Sequence, residues 1–115
     1  MGNPVGTTFD DELARRGEKA HVLDANHFFH FITGSWSSRA DGVVGIILWH
    51  RCSDGVRACG GYVAFERGHD DRERPVWEVQ SWNPLTLSPS ILCNGKHDDC
   101  GGTHGWIRDG VWQAA

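Results

Sequence analysis

The sequence predicts an α+β fold that is mostly antiparallel β, a small hairpin-rich sheet preceded by a short N-terminal helix. Three observations predict it: 15 glycines and 6 tryptophans among 115 residues, two Asp-Gly pairs set between apolar runs (Asp54-Gly55 and Asp109-Gly110), and one helix signal close to the N-terminus. The length suits one domain over 1–115, with residues 1–45 as helix and extension and 46–112 as the β domain. A chain this short buries a modest share of its surface, so a metal or a partner is an expected supplement to its core.

Thr7 or Thr8 followed by Asp10, Asp11 and Glu12 reads as an N-cap with an acidic first turn, and FDDELARR continues as a short helix up to Gly17. Phe9 and Leu13 give it a narrow apolar stripe, which docks on a sheet or a neighbouring subunit. HVLDANHFFHFI, from His21 to Ile32, is extended structure broken by Asp24-Ala25-Asn26, and SWSSRADG is a polar loop. The β-branched run from Val43 to Cys52 predicts a buried strand. Asp54-Gly55 then turns the chain in a type I′ hairpin, so that VRACGGYVAFE runs back antiparallel, with Gly60-Gly61 allowing a bulge or a close backbone approach.

Residues 67–75 are a charged surface loop, and VWEVQSW is a strand. Pro84 and Pro89 predict an extended, hydroxyl-rich connection without regular ladder bonding. Asp109-Gly110, between Trp106-Ile107 and Val111-Trp112, closes the chain with a second hairpin.

The net charge of −4 and the scattered Lys and Arg residues argue against a nucleic-acid partner. No apolar run approaches the roughly 20 residues of a membrane span, and the N-terminus has no stretch suited to a signal peptide. Reducing cytoplasm is therefore the expected compartment, where four cysteines favour metal over disulfides. Two short-loop disulfides are the alternative, because Cys52 and Cys59 have the same separation as Cys93 and Cys100.

The stretch ILCNGKHDDCGGTHGW holds Cys93, His97, Cys100 and His104. Thiolate and imidazole are the donors zinc prefers, and a tetrahedral ion needs four of them. Cys93, Cys100 and His104 are the expected core ligands, Cys52 the fourth, and His50, Cys59 and His97 the substitutes. Gly101-Gly102 lets the chain fold back tightly between Cys100 and His104. His27 and His30 bracket two phenylalanines, and a strand sends them to opposite faces, so at most one joins any site. A zinc-dependent hydrolase would use Asp98, Asp99 or Glu78 as base, and a cysteine nucleophile would be Cys93 or Cys100 beside His97 or His104. None of the HExxH, GxSxG or P-loop patterns is present.

The residues NPLTLSPSILC (83–93) and CGGTHGWIRDGVW (100–112) resemble a family of small domains of unknown function found in tailed phages and prophages. Its members share a Pro-Thr-x-Ser-Pro-Ser element, a Cys and His, and an Arg-Asp-Gly hairpin. The resemblance spans about residues 46–112. The chain departs from the pattern at Leu85, in the Gly-Gly-Thr spacer, and where His50-Arg51-Cys52 replaces an upstream Cys-Pro-x-Cys. It implies a structural zinc and a phage-encoded binding protein with a protein partner, in the host bacterial cytoplasm or the virion; a capsid decoration or head protein is the alternative.

Overall fold

The computed structural model describes residues 7–68, 73–94 and 100–115. The chain opens with helix α1 (Phe9–Arg16), capped by Thr8, whose Oγ1 accepts the Asp11 N–H at 3.0 Å. Asp10, Asp11 and Glu12 fill its first turn and Arg15 and Arg16 its last, matching the helix dipole. Phe9 is buried edge-on against Phe28 at 5.2 Å, and its N–H donates to the Val56 carbonyl, so the helix docks on the first sheet.

That sheet is an antiparallel meander of β1 (His21–Asp24), β2 (His27–Thr33), β3 (Val43–Arg51) and β4 (Ala58–Ala64), in chain order. Strands β5 (Glu78–Trp82) and β6 (Leu85–Ser88) form a hairpin, and β7 (Ile91–Cys93), β8 (Thr103–Arg108) and β9 (Val111–Ala114) a second meander. The expected class, mostly antiparallel β with one short helix, is the observed one. The core lies between the first sheet, which contributes Leu23, Phe29, Ile46, Leu48 and Val63, and the rest, which contributes Leu85, Leu87, Ile91, Ile107 and Trp112.

Two local readings change. The β3–β4 connection is not a two-residue type I′ turn: Cys52 N–H donates to the Arg57 carbonyl, leaving four residues between them, and only Gly55 has positive φ (79°). Asp54 works here through its side chain, accepting the N–H groups of Val56 and Arg57 and holding the Arg57 guanidinium at 2.7 Å. The contrasting case is Asp109-Gly110, where both residues have positive φ (53° and 76°), as a type I′ turn requires. The connection between the two prolines is also a real strand, β6, because Pro84 and Pro89 stand just outside it and residues 85–88 keep their N–H groups. Opposite β3, Gly60 and Gly61 continue the register without a bulge.

Candidate active site and metal centre

The end of the β3–β4 hairpin brings together His50, Cys52, Cys59 and Cys100. Their ligand atoms all lie within 4.8 Å of one another, and each residue is buried. His50 and Cys59 are register partners across β3 and β4. Cys52 follows β3 directly, its sulfur 3.5 Å from that of Cys59. Cys100 arrives from the C-terminal region, held by its carbonyl accepting the Ser53 N–H at 2.8 Å, with its Sγ 3.1 Å from His50 Nε2. Burial, followed by the adjacent Cys100 and Cys59 thiols, pushes the Cys52 thiol well above its ordinary range, so the charged form needs a cation beside it.

Three thiols and one imidazole suit a divalent ion of the zinc type. With metal–sulfur bonds of about 2.3 Å, tetrahedral ligand atoms sit roughly 3.8 Å apart, within the observed spread. The cluster can hold a metal ion, and no disulfide forms among the four cysteines.

Of the four ligands expected from sequence, Cys52 and Cys100 stand in this cluster, joined by the two substitutes His50 and Cys59. Cys93 and His104 stand elsewhere. Cys93 lies on β7 opposite Thr103, and its sulfur packs against Gly61 of β4. His104 is on β8, opposite Leu92, and strand alternation turns it to the other face from Cys93. His97, Asp98 and Asp99 lie outside the described residues. Glu78 begins β5, where it is exposed.

On that other face His104 meets a partner the sequence did not advertise. Its Nε2 is 3.2 Å from the Oγ of Ser90, the residue that precedes β7. Ser90 is diagonal to His104 across the β7–β8 pair, and its carbonyl accepts the indole N–H of Trp77 at 3.1 Å. His104 also stacks on Trp106, which Arg108 covers from beyond. Among the described residues no carboxylate is placed against His104. No local signature marks Ser90, since the pair joins the residue before β7 to β8 across fourteen positions.

A second polar chain secures β8 from within. His27 Nδ1 is 2.8 Å from Asp24 Oδ1 and its Nε2 is 2.9 Å from Thr103 Oγ1, while its ring stacks on Trp112 at 4.3 Å. Burial lowers the His27 pKa from its ordinary value, against the opposing pull of Asp24.

The described residues thus hold two polar features: Ser90 within hydrogen-bonding reach of His104 on one sheet face, and the buried cluster of His50, Cys52, Cys59 and Cys100, which could hold a metal ion. The family model described as BubE, bacterial ubiquitination-like system serine protease, matches residues 21–115, and the chain belongs to that family. No curated protein and no solved structure matches the chain.

This family corrects the functional expectation. A phage-encoded binding protein and a virion component are both set aside, because the matched family is one of serine proteases. The match also reaches back to residue 21, beyond the region of the earlier resemblance. The physical reason for the error is that thiols and imidazoles clustered in sequence suggest a metal, whereas a serine nucleophile is defined only by what folds against it.

Proposed function

We propose that this chain is a serine peptidase with Ser90 as nucleophile and His104 as general base, and that the cluster of His50, Cys52, Cys59 and Cys100 holds a structural zinc ion. The observation that carries the reading is the 3.2 Å approach of His104 Nε2 to Ser90 Oγ. The family's description supports it and favours, as substrate, a peptide or isopeptide bond of a ubiquitin-like modifier.

With neutral His104 protonated at Nδ1, its Nε2 accepts the Ser90 hydroxyl proton as Oγ attacks the scissile carbonyl carbon. The tetrahedral adduct collapses to an ester on Ser90 as the C–N bond breaks, and the imidazolium gives its proton to the leaving amine. Water, deprotonated by the same imidazole, then hydrolyses the ester and restores Ser90. Trp77 fixes the Ser90 carbonyl and hence the main chain at the nucleophile.

The donors support zinc: three soft thiolates and an imidazole are its preferred structural set. Its role is to hold the β3–β4 hairpin to the segment that leads into β8, and no chemical step passes through it.

The test is cleavage by purified Ser90→Ala and His104→Ala variants of a peptide that the parent protein cuts. Both should lose turnover by about a thousandfold or more while melting temperature and bound zinc stay at the parent level. Retained cleavage in Ser90→Ala would refute the assignment.

A further inference from the structure

Ser90 stands directly before a strand whose outer edge is unpaired among the described residues. The Ala115 N–H donates to the His104 carbonyl at 2.9 Å, so the main chain of His104 faces β9. In an antiparallel sheet the bonding direction alternates, so Thr103 and Gly105 face β7. Leu92, opposite His104, therefore turns its N–H and carbonyl away from β8, and among the described residues neither meets a partner. Its side chain is 63% exposed. Ser90, two positions earlier, shares that direction, but its carbonyl is taken by Trp77. Among the described residues the unpaired edge thus ends beside Ser90.

Beyond this edge lies a cleft of about 450 Å³ between β7 and β4, lined by Leu92, Cys93, Gly61, Tyr62 and Trp77 among others. Its floor closes where the Cys93 sulfur packs on Gly61; a Cβ there would lie 3.4 Å away.

We infer that the substrate binds as an extended peptide that adds an antiparallel strand to β7 through the Leu92 N–H and carbonyl. This inference rests on the peptidase reading of Ser90. In that register the peptide residue bonded to Leu92 precedes by two the residue beside Ser90, a step of roughly 7 Å. The third residue on the acyl side of the scissile bond therefore faces β7 at Leu92 and the second faces away, while the Ser90 carbonyl stays with Trp77. The substrate class is a flexible tail or linker, because a helix or a tight loop cannot offer its main chain to a strand edge.

The experiment uses an octapeptide taken from a random library for cleavage by the full chain, resynthesised with one N-methyl group at each position in turn. Methylation of the third acyl-side residue removes its donor to the Leu92 carbonyl and should lower kcat/KM about tenfold, while methylation of the second should change it little. Leu92→Pro, which deletes the outward N–H, should fall about tenfold below Leu92→Ala, which keeps it. A flat methylation scan, or a penalty on the second residue in place of the third, overturns strand addition while leaving the Ser90 assignment standing. Absence of any cleaved peptide together with failure of a fluorophosphonate to label Ser90 removes both.

Discussion

Cys100 lies 3.1 Å from His50 at the buried cluster, and four positions further along the same segment presents His104 to Ser90. The cluster that could hold a metal ion and the Ser90–His104 pair are thus joined by one short piece of chain. Whatever anchors Cys100 sets where β8 begins, and β8 carries His104.

Removing the metal should therefore unfold the hairpin junction and silence the site together. Chelation under reductant is expected to lower the melting temperature sharply, since structural zinc contributes on the order of 10 kcal/mol in small domains. Cys59→Ser and Cys100→Ser should each lose bound metal, whereas Cys93→Ser should retain about one ion per chain. Elemental analysis of the three variants checks this, and a Cys93→Ser protein without metal contradicts the ligand set.

Gly102 is predicted to tolerate no side chain. It has φ of +68°, and a Cβ there would sit 2.5 Å from the Cys93 carbonyl oxygen and 3.3 Å from Asn94. Gly102→Ala should cost about 2 kcal/mol or more, through both the left-handed backbone and the contact with β7. Urea denaturation measures it; a change below about 0.5 kcal/mol contradicts the close approach.

Trp77→Phe keeps the ring but removes the N–H that holds the Ser90 carbonyl. Turnover should fall about fivefold with little change in stability, the worth of one hydrogen bond near the nucleophile. Steady-state kinetics with a cleaved peptide, set beside the melting temperature, distinguishes this from a packing defect.

Acid should weaken the fold through His27. Burial lowers its folded-state pKa below the ordinary value of 6.5, so the unfolded chain binds the proton more readily. Stability from this group is complete above about pH 6.5 and declines as pH falls toward the lowered folded-state value. His27→Gln, which cannot titrate, should flatten the part of the pH dependence that lies just below neutrality. Denaturation curves at pH 7.5 and 5.5 for both proteins test it, and equal slopes contradict it.

Much of this fold was legible because local chemistry decides local structure. Thr8 and its acidic neighbours mark the helix, the run from Val43 marks a buried strand, and Asp109-Gly110 marks a hairpin whose two positive φ values match the prediction. Asp54-Gly55 misled because the same dipeptide can turn a chain through the Asp side chain instead of through the backbone. The cluster that could hold a metal ion was half legible. The sequence points to Cys93, Cys100 and His104 with Cys52 as fourth, whereas the gathering of His50 and Cys59 beside Cys52 and Cys100 depends on the register of β3 with β4 and the face of β8, which spacing does not encode. The pairing of Ser90 with His104 was illegible, since only the fold brings the residue before β7 against β8.

The central claim is that Ser90, activated by His104, is the nucleophile. Treating the metal-loaded protein with a fluorophosphonate and mapping the adduct by peptide mass spectrometry tests it most directly. The expected result is one adduct per chain, on Ser90, formed far more slowly in His104→Ala. Modification of a different residue, or labelling of Ser90 at an unchanged rate without His104, would contradict it.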